Sequence, residues 1–540
     1  MDANQAETPS ATVEEIDVDI GFQSPSEPIL QAPLASSIFR DAREPAYRSG
    51  GEELRQWQEE EFQRKLRGEY EAAQRRIGEV VTESLDHPLH LSSIRIVNPP
   101  KTTRSSFLNS LLSPFISPIQ QSSLSPSWLN PSVSYGLQSS TPPKTLHEIL
   151  YTTKMLTTHL RRFDIFQDQI DVKLEPAKGG VIGDVDLVLG IREKGRVFLK
   201  AGTEVGGGEG GFNVTGRLRN VFGGAESLEL NASKGTRTKS AYQLNFTTPL
   251  ASSPLLDFTL SGFALNRDHS AFASHLEQSQ GGRAKFSARA PWGAHDVTYE
   301  MVQRDITNLT KNASLTIREL AQPSTKASVT HTFTRDTRDD PWMGTAGSLL
   351  KISHEYAGLP GSSENVNFLK STTQSQLSRA LFAGSGWHYS ISSLTTMLIP
   401  LSASRAPTSL PDRVFLGGPN SIRGWKIGGI GARDGVDSLG GDLAWAMGVS
   451  VFAPFPTKKE WPVKLHGFLN TGRVVGWESA QSFAANVARM YSSLNMSVGL
   501  GLLYRLDPIR VEVNFALPLV GRKGEGWARG LNVGIGLEFL

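Results

Sequence analysis

Cysteine is absent from all 540 residues, which excludes disulfides and thiolate metal sites. An excess of one charge is missing too. Lys and Arg number 55 against 53 Asp and Glu, so the formal charge is +2 and no basic surplus calls for nucleic acid. No apolar run reaches the ~18 residues of a membrane-crossing helix. The opening stretch MDANQAETPSATVEEIDVDIGF is acidic. It lacks the basic-then-apolar order of a secretory signal and the Arg-rich, acid-poor pattern of a cleaved transit peptide. Enzyme signatures are also lacking: there is no P-loop, no HExxH and no G-x-S-x-G. GGGEGG offers a formal G-x-G-x-x-G at Gly206, Gly208 and Gly211. A dinucleotide fingerprint must open a helix, however, and the FNVTGRLRN that follows reads as strand. His87 and His90, on either side of Pro88 and Leu89, read as a surface pair, and Asn-x-Ser/Thr sites such as Asn213 and Asn245 fall mostly on predicted strands. We therefore expect no catalytic residue, no metal and no cofactor.

What is present is glycine, 52 residues of it, and a change of period along the chain. Residues 1–87 are expected to be a disordered acidic segment followed by a charged helix over 51–81, with Glu60–Arg64, Glu61–Lys65 and Glu71–Arg75 at i,i+4 spacing. Residues 88–195 read as a small α+β module in the order strand, helix, helix, strand, strand. LHLSSIRIV (Leu89–Val97) is the first strand and RSSFLNSLL (Arg104–Leu112) a short helix. Residues 113–143 are rich in Ser and Pro and read as an inserted loop. Thr145 and Glu148 form a capping box opening a helix whose apolar face is Leu146, Ile149, Leu150, Thr153 and Leu160.

From about residue 196 the period becomes two and stays so. Leu494, Met496, Val498, Leu500, Leu502, Tyr504 and Leu506 share one face, against Asn495, Ser497, Gly499, Gly501 and Arg505, with Leu503 the exception. Beyond Asp507-Pro508, Ile509, Val511, Val513, Phe515 and Leu517 oppose Arg510, Glu512 and Asn514. Strands with one apolar face fit a soluble sandwich or a membrane barrel. There are about sixteen such segments of roughly ten residues, the length of a tilted membrane-spanning strand. Short turns follow even-numbered strands, as at Phe222–Gly224 and Ala290–Gly293, and long loops tend to follow odd ones, as at Arg473–Ser493. That asymmetry favours an up-and-down transmembrane barrel over 196–540, and closure removes the exposed edges. The expected fold class is mainly β: a sixteen-stranded antiparallel transmembrane β-barrel preceded by one α+β module.

One loop does not suit a plain pore. About forty residues between the eleventh and twelfth strands contain GGPNSIRGW, Gly417 to Trp425. Here the chain resembles the outer-membrane barrel-assembly superfamily, the BamA-type or bacterial-surface-antigen proteins, whose members carry POTRA modules before a sixteen-stranded barrel. Their hallmark loop bears aliphatic–Arg–Gly–aromatic, and Ile422, Arg423, Gly424 and Trp425 match at every position. The resemblance implies that this loop folds into the lumen, where a buried arginine needs acceptors. The family supplies a G-x-F-x-D-x-G strand. Here HGFLNTG carries Gly467, Phe468, Asn470 and Gly472, so Phe468 is expected to stack on Arg423 and the Asn470 amide to replace the bacterial carboxylate. DTRDDPWMGTAG, Asp336 to Gly347, is similar to a second family turn, with Met343 at the usual second proline. The last strand, with Asn532, Gly534, Leu537 and Phe539, resembles the β-signal of mitochondrial barrel precursors.

A single module, the lack of a secretory signal and Asn470 make the chain similar to the mitochondrial branch, the core barrel subunits of the sorting and assembly machinery. That resemblance implies an insertase of the mitochondrial outer membrane, with the POTRA module and both termini in the intermembrane space. Its implied partners are β-barrel precursor proteins, peripheral accessory subunits and membrane lipids, and no nucleic acid. The lateral seam is expected between the first strand, with Val197, Leu199 and Gly202, and the last, with Gly534 and Gly536. Those glycines weaken the zipper, so a precursor hairpin could add there main chain to main chain. Rival readings are a polypeptide translocase of the same superfamily, a passive metabolite pore and a soluble β-rich scaffold.

Overall fold

A computed structural model describes residues 51–66, 76, 78–79, 82–116, 144–206, 209–341, 344–382, 384–401, 407–456, 461–506 and 509–536. The chain divides into two compact units, 1–83 and 84–540. In the first, helix α1 spans Gly51–Leu66, with charged and amide side chains predominating in its sequence. The helix expected over 51–81 is thus described over 51–66 and at isolated positions beyond; the segment expected to be disordered, 1–45, lies outside the described residues.

The second unit opens with an α/β module: strand β1 (His90–Val97), helices α2 (Ser105–Ile116) and α3 (Leu146–Arg161), then strands β2 (Asp171–Pro176) and β3 (Asp184–Gly190). The sheet order is β1-β3-β2, with β1 parallel and β2 antiparallel to β3. Leu108, Leu111, Phe115, Ile149, Leu156 and Leu160 from the helices bury against Leu187 and Leu189 of β3. Thr145 Oγ1 accepts from the Glu148 amide at 3.3 Å, and Glu148 reaches back to the amide of Lys144 at 2.7 Å, so α3 starts where its capping residues place it. Two details differ from the sequence reading. Leu150 is exposed, and Leu156 holds the buried face with Ile149 and Leu160. The Ser/Pro insertion does not begin at 113: α2 runs through Pro114 to Ile116, held by the buried Phe115. Pro114 has no N–H to give the carbonyl four residues back, and the helix ends two residues beyond it. Residues 117–143 lie outside the described set.

Sixteen strands follow in one antiparallel sheet. They are β4 (Val197–Gly206), β5 (Glu209–Arg219), β6 (Ser227–Gly235), β7 (Thr238–Pro249), β8 (Leu256–Asp268), β9 (Leu276–Ala290), β10 (Gly293–Thr307), β11 (Ser324–Asp336), β12 (Gly347–Ala357), β13 (Phe368–Ala380) and β14 (His388–Pro400), then, after a long loop, β17 (Leu443–Pro454), β18 (Val463–Val475), β19 (Asn495–Leu506), β20 (Ile509–Val520) and β21 (Gly530–Gly536). The long loop itself holds a hairpin of β15 (Ala432–Asp434) and β16 (Asp437–Gly440). Each barrel strand pairs with its sequence neighbour, and β14 pairs with β17 across the loop.

The alternation sorts side chains to two faces. Leu500 is 72% exposed and Leu531 71%, while Ser497, Glu512 and Asn514 are buried on the other face. Apolar outside and polar inside is the order a lipid-embedded cylinder requires. Leu503, the exception to the alternation, faces inward because it packs on Phe452. No described helix is long and apolar enough to cross a membrane.

The two terminal strands lie side by side. Among the described residues no ladder joins them: β4 pairs with β5 and β21 with β20. The module abuts the turn after β5. Arg104 donates from Nη2 to Glu226 at 2.8 Å, its amide bonds Gly223 O at 2.8 Å, and Asn220 Nδ2 donates to Thr103 Oγ1 at 2.9 Å.

Candidate functional site: the lumenal anchor of the long loop

The loop from residue 401 to 442 enters the barrel because its apolar residues have a place there. Leu416, Ile422, Trp425 and Ile430 bury against Ala444, Ala446 and Val474 of β17 and β18. Small residues on the wall admit them. A Cβ at Gly472 would sit 2.4 Å from Ile422 Cδ1, so the closing glycine of HGFLNTG is the floor of the Ile422 site. Gly424 has φ +91°, and its missing Cβ faces Ser497 and Pro518 at 3.3–3.4 Å; an L-residue there meets both backbone strain and the wall. The turn delivers Arg423 to the barrel wall.

Arg423 is fully buried. Its Nη1 donates to Asn470 Oδ1 at 3.1 Å, and its guanidinium lies 4.8 Å from the Phe468 ring centroid. Nε and Nη2 both donate to Glu512 Oε2, at 3.1 and 2.8 Å. Glu512, on β20, also accepts from Arg510 and from Asn514 Nδ2, the latter at 2.7 Å. Rings extend the site along the wall. His388 stacks on Phe452, Phe452 on His466 at 4.6 Å, and His466 leans on Phe468. Arg510 lies 5.3 Å from the Phe452 centroid. Within low-dielectric walls, a cation bonded at all three nitrogens is held hard, and breaking one partner leaves a poorly compensated charge.

The structure thus brings Ile422, Arg423, Gly424 and Trp425 together with Phe468 and Asn470. Gly467 stands apart, on the outward face between Leu465 and Leu469. The sequence reading missed Glu512 and Arg510. The signal was present in the alternation, which put Arg510, Glu512 and Asn514 on the face opposite the apolar set; only the register through β19 places that face beside Arg423.

The next residue, Trp425, is buried against Trp527 in the β20–β21 connection, ring centroids 6.5 Å apart. Backbone bonds tie the two segments: Lys426 N to Gly526 O at 2.8 Å, Gly526 N to Gly429 O at 2.9 Å, and Ala528 N to Gly424 O at 2.8 Å. The loop therefore grips the segment that leads into the last strand.

Of the seam residues, Val197 and Leu199 face outward and are exposed. Gly202 stands on β4 beside Asn213, while Gly534 and Gly536 are the cross-strand partners of Glu512 and Arg510. Asn532 pairs with Asn514; Leu537 and Phe539 lie outside the described residues. In the second motif, Arg338 bonds Asp336 and Gln376, and Gly347 has φ +101°; Met343 is outside the described set. Among the described residues, no group of three or more His, Asp or Glu is placed to hold a metal.

Comparison with known proteins gives four concordant likenesses. The Omp85 superfamily domain matches residues 220–539. A SAM50-like protein of Schizosaccharomyces pombe is 32% identical over 473 residues, covering 86% of this chain and 94% of that protein. The human sorting and assembly machinery component 50 homolog is 29% identical over 405 residues, 74% of this chain and 84% of its own. Among solved structures, BamA from Haemophilus ducreyi lacking POTRA domains 1–3 superposes with a TM-score of 0.65 at 16% identity, over 83% of this chain and 84% of that one, a likeness of fold.

Proposed function

Since the chain belongs to the Omp85 superfamily, and within it to the SAM50-like proteins, we propose that it folds β-barrel precursors and inserts them into the mitochondrial outer membrane through the seam between β4 and β21. The observation that carries the reading is that seam: a sixteen-stranded sheet whose terminal strands are adjacent yet share no ladder among the described residues. Unpaired strand edges in lipid are costly, and an incoming strand satisfies them main chain to main chain. Growth at the seam leaves no backbone polar group bare, and no covalent bond changes, so the activity is that of an insertase. Val197, Leu199, Gly202, Gly534 and Gly536 form the seam, and Asn532 with Leu537 and Phe539 form a β-signal by which this chain is itself assembled. Ile422 to Trp425, held by Phe468 and Asn470, support the lumenal side.

The α/β module at 88–195 acts as a POTRA module. It and both termini face the intermembrane space, at the end of the barrel where the short turn after β5 meets it. Precursors, the accessory subunits of an assembly complex and the surrounding lipid are the partners. The test exploits the absence of native cysteine. Gly202→Cys in reconstituted protein should crosslink to a cysteine in the last strand of an arrested precursor. A disulfide locking β4 to β21 should stop assembly; normal assembly through the locked seam would overturn the reading. Passage of an extended soluble chain in place of membrane assembly would favour the translocase.

A further inference from the structure

The long loop carries a second buried charge to a different stretch of wall. Asp412 ends a one-turn 3-10 helix, Leu410–Asp412, and is 3% exposed. Arg304 of β10 donates from Nη1 to Asp412 Oδ1 at 2.7 Å; its Nε and Nη2 find no acceptor among the described residues. Lys326 of β11 lies 3.7 Å from the same oxygen, and Lys370 of β13 donates to the Asp412 carbonyl at 2.9 Å. Beside the pair, Leu410 packs on Ile306 and Ile317. The hairpin β15–β16 repeats the polarity. Asp434 Oδ2 accepts from Thr316 Oγ1 at 2.7 Å, and Asp437 Oδ2 from the Ser314 amide at 2.7 Å, both in the β10–β11 connection. The loop therefore presents carboxylates to the β10–β13 side, Asp412 met by cations and the hairpin pair by neutral donors, and a guanidinium to the β18–β20 side, met by Glu512.

We propose that Asp412 is a positioning residue, pinning the root of the loop to Arg304 and Lys326 so that Arg423 is delivered to Glu512. The inference rests on the insertase reading for its functional consequence, but not for the geometry. A tether's effective concentration falls as about the −3/2 power of its length. Asp412, with the paired backbone bonds of Val414 and Gly441, holds the run to Arg423 at about 11 residues against about 22 from the end of β14, about threefold in that concentration. Ion pairing adds to this, because without Asp412 the buried Arg304 loses its acceptor.

Ser497 reports the seating of the loop, since it lies buried beneath Gly424. In an otherwise cysteine-free chain, Ser497→Cys should resist a water-soluble maleimide while the loop is home. Full-length protein in liposomes is assayed for labelling of that cysteine and for assembly of a barrel precursor. Asp412→Asn should expose the cysteine and slow assembly by up to about threefold, whereas Asp412→Glu should restore both. If Asp412→Asn does not fold, Arg304→Gln with Asp412→Asn removes the pair without stranding a charge at Arg304, and the same two readouts apply. A cysteine that stays protected in Asp412→Asn, or in the double variant where that one does not fold, overturns the proposal, whatever the assembly rate. Failure of the unaltered protein to assemble precursors would instead sink the insertase reading and leave the labelling test standing.

Discussion

The core of the α/β module is apolar, whereas the barrel buries a charged cluster as well as apolar ones. The module is closed by leucine and phenylalanine: Leu111, Ile149, Leu156, Leu160 and Leu187 have no exposed surface. Inside the barrel Arg423, Glu512, Asn470 and Ser497 are buried beside the apolar Ile422 and Trp425, while Leu500 and Leu531 stand outside. One chain thus obeys two solvents. Water expels the apolar side chains of the module into its core. Lipid accepts those of the barrel and leaves the charged ones to find each other within. Stability in the module is apolar area. Around the loop it is polar satisfaction, which has little tolerance for a missing partner.

The sharpest way to break the contrast is to remove one charge. Glu512→Ala leaves Arg423 and Arg510 facing each other without their shared carboxylate. It should cost about 3–5 kcal/mol, read as a lower urea midpoint of the heat-modifiable barrel and a released loop. A loss below about 1 kcal/mol would mean that water already reaches the site. In the module the corresponding lever is pH. His159 is buried in the core beside Phe115 and Phe163. Burial, then the charge of Arg162, lowers its pKa from 6.5 to about 4. The unfolded chain takes up a proton below 6.5 that the folded module refuses until about 4. The stability so contributed is present above that window and lost as pH falls through it, about 3 kcal/mol in all. Module melting followed from pH 7 to 4 should show the slope, and His159→Leu should remove it. The lipid face offers a smaller effect. Leu500→Lys should cost about 2 kcal/mol of barrel stability in bilayers; no cost there would argue that this face does not meet lipid.

Much of this division was legible in the sequence, because alternation at 494–506 and 509–517 separates the two faces without knowledge of what surrounds them. Leu503 broke the pattern, since its partner Phe452 lies two strands away. Arg423 was legible through its neighbours in a motif, and Phe468 and Asn470 through shared parity on one strand. Glu512 and Asp412 were not, for a common reason. Each meets its partner across a register or a lumen: Glu512 is 89 positions from Arg423 and Asp412 is 108 from Arg304. Nothing local marks either residue as paired. The lack of a ladder between β4 and β21 among the described residues is likewise a relation between the two ends of the barrel.

The smallest expected effect comes from restoring the carboxylate that the bacterial pattern would place at 470. Two guanidiniums, Arg423 and Arg510, share one carboxylate, Glu512, and Asn470 supplies an amide oxygen. The other half of that amide is idle, since Asn470 Nδ2 is buried without an acceptor among the described residues. Asn470→Asp removes the idle donor and turns a neutral hydrogen bond to Arg423 into a charged one. Against this stands the cost of desolvating a second carboxylate. The balance should favour the variant by up to about 1 kcal/mol, seen as a higher urea midpoint of the barrel. A fall instead would mean that Glu512 alone saturates both arginines.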